Sequence, residues 1–202
     1  AARYKWRKLG IALGVFGPQG TSKREYPKEI MTPQSTSTDL APSPQRYDII
    51  KQDALVALPS LALAYEVTTR CALAFPFPTF TVHPHAAFAT IGAAAAAALA
   101  RGHDAKTMQD AVTGAASMTF AGPFDTAVEG SLVRNGWTAA GAWIGLRATD
   151  WAEAGIAGGI DTPYDVFAGG FKTRAIPEAL VVGLGSAWSV ANGYHKIFAC
   201  CG

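Results

Sequence analysis

A chain of 202 residues, half of them hydrophobic and 16% charged, can bury a real core as one domain or two small ones, and it is too apolar to be a disordered tail. The formal charge of +2, with no lysine or arginine run on a predicted face, argues against a nucleic-acid partner. Three cysteines, two of them adjacent and none in a CxxC spacing, suit neither a disulfide framework nor a zinc site, so a reducing compartment is expected.

Residues 1–47 are expected to be a linker or disordered arm, because Pro18, Pro27, Pro33, Pro42 and Pro44 break any long helix and no strand alternation appears. Arg3, Lys5, Arg7 and Lys8 ahead of the short apolar run 9–16 resemble a weak signal or transit segment, although a simple fragment end is the expected reading. From residue 48 the pattern turns helical. Leu55, Leu58, Ala62, Tyr65 and Thr69 fall at three- and four-residue steps and predict a helix over 53–73, kinked or broken at Pro59. Pro76, Pro78 and Pro84 make 75–84 extended.

A second helix is predicted over 86–101, closed by Gly102, and it is too short and too rich in alanine to cross a bilayer. Asp104 caps a third helix to about 118, with Met108, Val112, Ala115 and Ala116 on its apolar face. Gly122 and Pro123 mark a turn, 131–146 a fourth helix, and 150–154 a separate short one. Thr162, Pro163 and Asp165 read as a helix start ended by Gly169 and Gly170, and Pro177 opens another to about 182. Residues 186–190 look strand-like, and 194–201 are short, apolar and extended. The alanines of 93–98 and the small residues of 136–145 suit helices whose backbones approach closely, so the expected fold is mainly α, a helical bundle.

The residues that could carry chemistry are few. His83 and His85 flank Pro84 just before a helix, where free N–H groups attract anions; each is either a base or carboxylate binder or a capping and packing residue. His103 is expected to face solvent beside a helix cap. Lys196, set among Tyr194, Phe198, Cys200 and Cys201, is either a half-buried ammonium awaiting an anion or a lysine snorkelling from an edge. No dinucleotide loop, P-loop, nucleophile elbow, zinc-protease motif or metal-ligand cluster is present in the sequence. Metal-free acid–base chemistry by His, Lys and Tyr is what remains, with no cofactor expected.

Several segments, in order, resemble the MmgE/PrpD family, which includes 2-methylcitrate dehydratase, cis-aconitate decarboxylase and iminodisuccinate epimerase. They are Asp53-Ala54-Leu55 through Tyr65-Glu66-Val67 and Arg70, His83-Pro84 followed by Gly92-Ala93-Ala94, the run 99–111, Gly136-Trp137 with Ala139-Ala140-Gly141, and Lys196 with Phe198 and Cys201. The wording of 122–130, 134–146 and 194–201 is most similar to the iminodisuccinate epimerase-like branch. The resemblance implies a helical domain over 48–160, the beginning of a small α+β lid over 161–202, and a homodimer. It implies proton movement at the carbon next to a carboxylate of a small di- or tricarboxylic acid, by a dehydratase, decarboxylase or epimerase.

Residue by residue, His83 falls on a family active-site histidine and Lys196 on an active-site lysine, which makes them the expected catalytic pair. Tyr194, Cys201, His85 and Arg134 are the expected substrate-binding residues. Cys201 stands five residues after the lysine, where some members have histidine. Gly130 stands where several members have a lysine, with Arg134 nearby as a substitute cation, and His85 replaces a small or hydroxyl residue. Members of the family are longer, and the acidic and histidine residues of their amino-terminal half have no counterpart in 1–47. The chain is therefore expected to be a partial member, either an enzyme or a catalytically inactive helical interaction module. The expected compartment is the cytoplasm, with the mitochondrion as the alternative.

Overall fold

The computed structural model describes residues 44–79 and 81–193. Helix α1 (Pro44–Ala74) runs unbroken through Pro59, where a kink or break was expected. Just past that proline the Ser60 hydroxyl donates to the Val56 carbonyl at 2.8 Å. Ser60, Leu63, Val67, Cys71 and Ala74, at three- and four-residue steps, form its buried face.

Helix α2 (Pro84–Ala100) is the centre of the fold, buried along its length by Ala86, Phe88, Ile91, Ala94, Ala95 and Ala98. Gly102, with φ +72°, turns the chain back, and Asp104 caps α3 (Ala105–Ala116) by accepting from the Thr107 N–H at 2.8 Å. That bond is the first cause of a carboxyl pKa held below the usual aspartate value. After the short helix α4 (Asp125–Val128), α5 (Val133–Glu153) packs across α2 and α3 as one helix. It absorbs the separate segment expected at 150–154, because Ala148, Thr149 and Ala152 continue its buried face.

Small residues set the distance between these helices. A Cβ built on Gly145 would lie 2.5 Å from the Ala93 Cβ and 2.7 Å from the Ala94 nitrogen, and one on Gly141 2.8 Å from the Ala89 Cβ. Gly92 meets α1 in the same way, at 2.0 Å from the Thr68 hydroxyl and 2.9 Å from the Ala64 carbonyl. Glycine at these crossings is required by backbone proximity, as the alanine and glycine content predicted.

The segment 161–193, expected as the opening of a lid, lies on the same core. Helix α6 (Thr162–Tyr164) passes into a π-helical turn, Asp165–Gly170, that inserts Phe167 between Phe75 (ring centroids 5.4 Å apart) and Phe88 (4.8 Å). Leu180, from the 3-10 turn Pro177–Leu180, is buried beside them. The strand-like stretch at 186–190 leads instead into a second 3-10 turn, Ser189–Asn192, and the described residues contain one isolated bridge and no strand.

An ion pair inside α1 holds this segment. Glu66 and Arg70 are 3% and 5% exposed and 2.5 Å apart. The Arg70 guanidinium donates to the carbonyls of Ala179, Leu180 and Val182, the last at 2.9 Å, and the Glu66 carboxylate accepts from the Ser189 N–H at 2.6 Å. A buried pair is tolerable only when its remaining donors and acceptors are satisfied, and here backbone groups more than a hundred residues away do that.

At the far end of the bundle Arg101 meets Asp150 at 2.6 Å, and the His103 Nε2 lies 2.7 Å from Glu153, so His103 is half-buried against α5 and does not face solvent as expected. No helix among the described residues is long and apolar enough to cross a membrane.

Candidate active site

His83 occupies the N-cap of α2, with φ −76° and ψ 127°, and Pro84 fills the first helical position. The loop before α4 is strapped alongside it. The His83 N–H donates to the Gly122 carbonyl at 2.9 Å, Val82 and Pro123 form an antiparallel bridge, and the Phe124 N–H donates to Thr81 at 3.1 Å. A Cβ on Gly122 would sit 2.7 Å from the Trp137 ring and 2.8 Å from the Ala86 Cβ, so only glycine lets the loop pass between them. The result is an aromatic cradle. The His83 ring stacks on Phe124 (5.4 Å, 24°), with Trp137 at 5.8 Å and His85 at 4.6 Å.

Partial burial in this cradle lowers the His83 pKa below the ordinary 6.5, and the neighbouring positive fields of His85 and Arg134 lower it further. The imidazole is neutral near pH 7. Its Nδ1 accepts the His85 N–H at 3.2 Å, so the ring proton of the neutral form sits on Nε2.

The same bonding closes the anion site expected at this helix start. Pro84 has no N–H, the His85 N–H is given to the His83 ring, and those of Ala86 and Ala87 are given to the His83 carbonyl at 3.0 and 3.3 Å. An anionic ligand here must be held by side chains.

His85 is exposed and forms part of the wall of an open groove of about 350 Å³ between α1, α2 and α5, with Thr68, Thr69, Leu73, Phe88 and Thr138. The groove has an apolar floor, three hydroxyls and one imidazole. Arg134, on the first turn of α5, is exposed, and its charge reaches His83.

Three of the six sequence candidates, His83, His85 and Arg134, are thus brought to one region. Tyr194, Lys196 and Cys201 lie outside the described residues. Phe124, Trp137 and Gly122 complete the site without having been singled out as parts of it; the sequence marked Gly122 only as a turn, Trp137 only within a family-like segment, and Phe124 only by its place in 122–130. Cys71 is fully buried and its thiol is pushed up to about 12, which removes it as a nucleophile. Among the described residues no group of three acidic, histidine or cysteine side chains could hold a metal ion.

Residues 48–191 match the family model for the MmgE/PrpD N-terminal domain. No curated protein and no solved structure was found to match.

Proposed function

Because the chain belongs to the MmgE/PrpD family, we propose that it carries part of the machinery of a dehydratase-like enzyme that moves a proton at the carbon next to a carboxylate. The substrate class is a small di- or tricarboxylic acid, and the outcome is loss of water, loss of carbon dioxide or epimerisation, with the iminodisuccinate epimerase-like members as the nearest parallel. His83 and Lys196 are the proposed catalytic residues. His85, Arg134, Tyr194 and Cys201 are proposed to bind the carboxylates, and two chains pair as a homodimer.

The observation that supports this reading is the state of His83. A neutral imidazole with Nδ1 engaged by the cap and Nε2–H pointing away from it is a hydrogen-bond donor, suited to an oxygen on which negative charge develops. To act as a base, Nε2 would have to give up its proton to Nδ1 and break the cap. His83 is therefore assigned the role of acid or oxyanion donor, and the proton acceptor is assigned to the amine of Lys196. General acid–base groups contribute roughly 10²- to 10⁴-fold each.

The test is deuterium incorporation at the α-carbon of small di- and tricarboxylates in D₂O, followed by NMR. Exchange that is lost in both His83→Asn and Lys196→Met is the expected result. A folded chain that exchanges none of them would remove the enzymatic reading.

A second reading, a catalytically inactive helical interaction module, is favoured by the apolar side chains α1 and α5 leave in solvent. Leu55, Leu58 and Leu61 are 64–66% exposed and Trp143 is 62% exposed. Association without exchange of any substrate would select it.

A further inference from the structure

Helix α5 has two apolar faces. Gly141, Gly145, Ala148 and Ala152 face the bundle. On the opposite side, Leu132, just before the helix, and Gly136, Ala139, Trp143 and Leu146 follow one another at alternating steps of four and three, and all five are exposed. That spacing makes a straight seam along one side of a helix. A surface helix ordinarily turns charge outward, yet no charged residue occurs between Arg134 and Arg147.

Gly136 is the telling position. Gly141 and Gly145 are glycine because α2 touches them, whereas none of the described residues lies within 4 Å of a Cβ placed on Gly136. A glycine inside a helix costs about 1 kcal/mol relative to alanine, and packing among the described residues returns nothing for it.

We infer that the outer seam of α5 is a dimer contact with the α5 of a second copy, the two helices antiparallel about a two-fold axis at Ala139. The proposal rests on the homodimer of the reading above and supplies its surface. Read in the antiparallel sense, the seam is complementary to itself in volume. Ala139 meets its own counterpart, Leu132 meets Leu146, and the largest side chain, Trp143, comes within one residue's rise of the notch at Gly136. An isologous contact requires this kind of self-matching.

The area is of the right order. Leu132, Trp143 and Leu146 are 78%, 62% and 43% exposed, and the neighbouring exposed Val133, Ala139 and Ala142 widen the apolar strip towards the roughly 800 Å² per partner of a standard interface. Trp137, which touches His83, lies away from the seam, so pairing leaves the candidate site open.

Sedimentation of the full chain over a range of concentrations, together with two variants, tests this. The expected result is a dimer that Gly136→Leu weakens at least tenfold without unfolding the monomer. Ala139→Cys, in a chain carrying Cys200→Ala and Cys201→Ala, is expected to oxidise to a disulfide-linked dimer. A dimer indifferent to Gly136→Leu, with no cross-link at 139, overturns the inference and leaves the homodimer standing. A chain that is monomeric throughout overturns both. A monomer in which the Ala139→Cys thiol resists labelling would put another part of the chain, such as residues 1–43, on the seam and overturn the inference as well.

Discussion

Replacing His83 by asparagine keeps a side-chain acceptor for the His85 N–H, whereas alanine removes it. His83→Ala should therefore cost about 1 kcal/mol of stability, the usual value of an N-cap, and His83→Asn very little, although both remove the imidazole. Urea unfolding at pH 7.5 measures the difference. A second consequence concerns acid. Because the folded state holds the His83 pKa below 6.5, the unfolded chain takes up the proton more readily. The contribution of this residue to stability is complete above that ordinary value and is lost as pH falls through the lowered pKa. Unfolding measured from pH 7.5 down to 5 should show a decline that His83→Asn flattens; an unchanged slope would mean that other groups carry it. The histidine itself was legible in the sequence because His83-Pro84 before an alanine-rich run is a local signal. Its cradle was not. Phe124 and Trp137 come from later turns, and their approach depends on Gly122 passing between Ala86 and Trp137, which no local pattern announces.

Glycines that look alike in the sequence of α5 separate once their surroundings are known. Gly145→Ala drives a methyl into the Ala93 Cβ and the Ala94 backbone, neither of which can rotate away, and should cost about 1–3 kcal/mol. Gly136→Ala meets nothing among the described residues and should raise the stability of the monomer by up to about 1 kcal/mol. Thermal melts of the two variants side by side, at a concentration where both are monomeric, check the contrast. The same elements show where sequence patterns suffice. Helices α2 and α3 were readable because Pro84, Gly102 and Asp104 punctuate them with side chains that act within a few residues. The segment at 186–190 does not pair as its strand-like pattern suggested: three of its five residues are exposed, and it runs into a 3-10 turn. No neighbouring strand exists among the described residues, and the Ser189 N–H goes to a carboxylate on α1.

Across the whole molecule, the Glu66–Arg70 pair does what a second core would otherwise have to do, tying 177–193 to α1 through four hydrogen bonds to backbone. Arg70→Ala leaves a buried carboxylate unpaired and should cost about 3–5 kcal/mol. Hydrogen exchange should show protection lost first over 177–193, while 84–116 stays closed; uniform loss would mean that the segment is not separately tethered. The family signature at Tyr65-Glu66-Val67 and Arg70 was visible in the sequence, but its purpose was not, since the carbonyls it satisfies are more than a hundred residues further on. At the opposite end of α1 none of the residues from 53 to 59 is buried, and Leu55 and Leu58 face water. Turns with so little burial depend on the helix that follows them and should open more readily than the buried turns beyond Ser60. Within the described residues, a protease offered the native chain should cut in these turns before it cuts in 84–116, and whatever shelters those leucines would delay it.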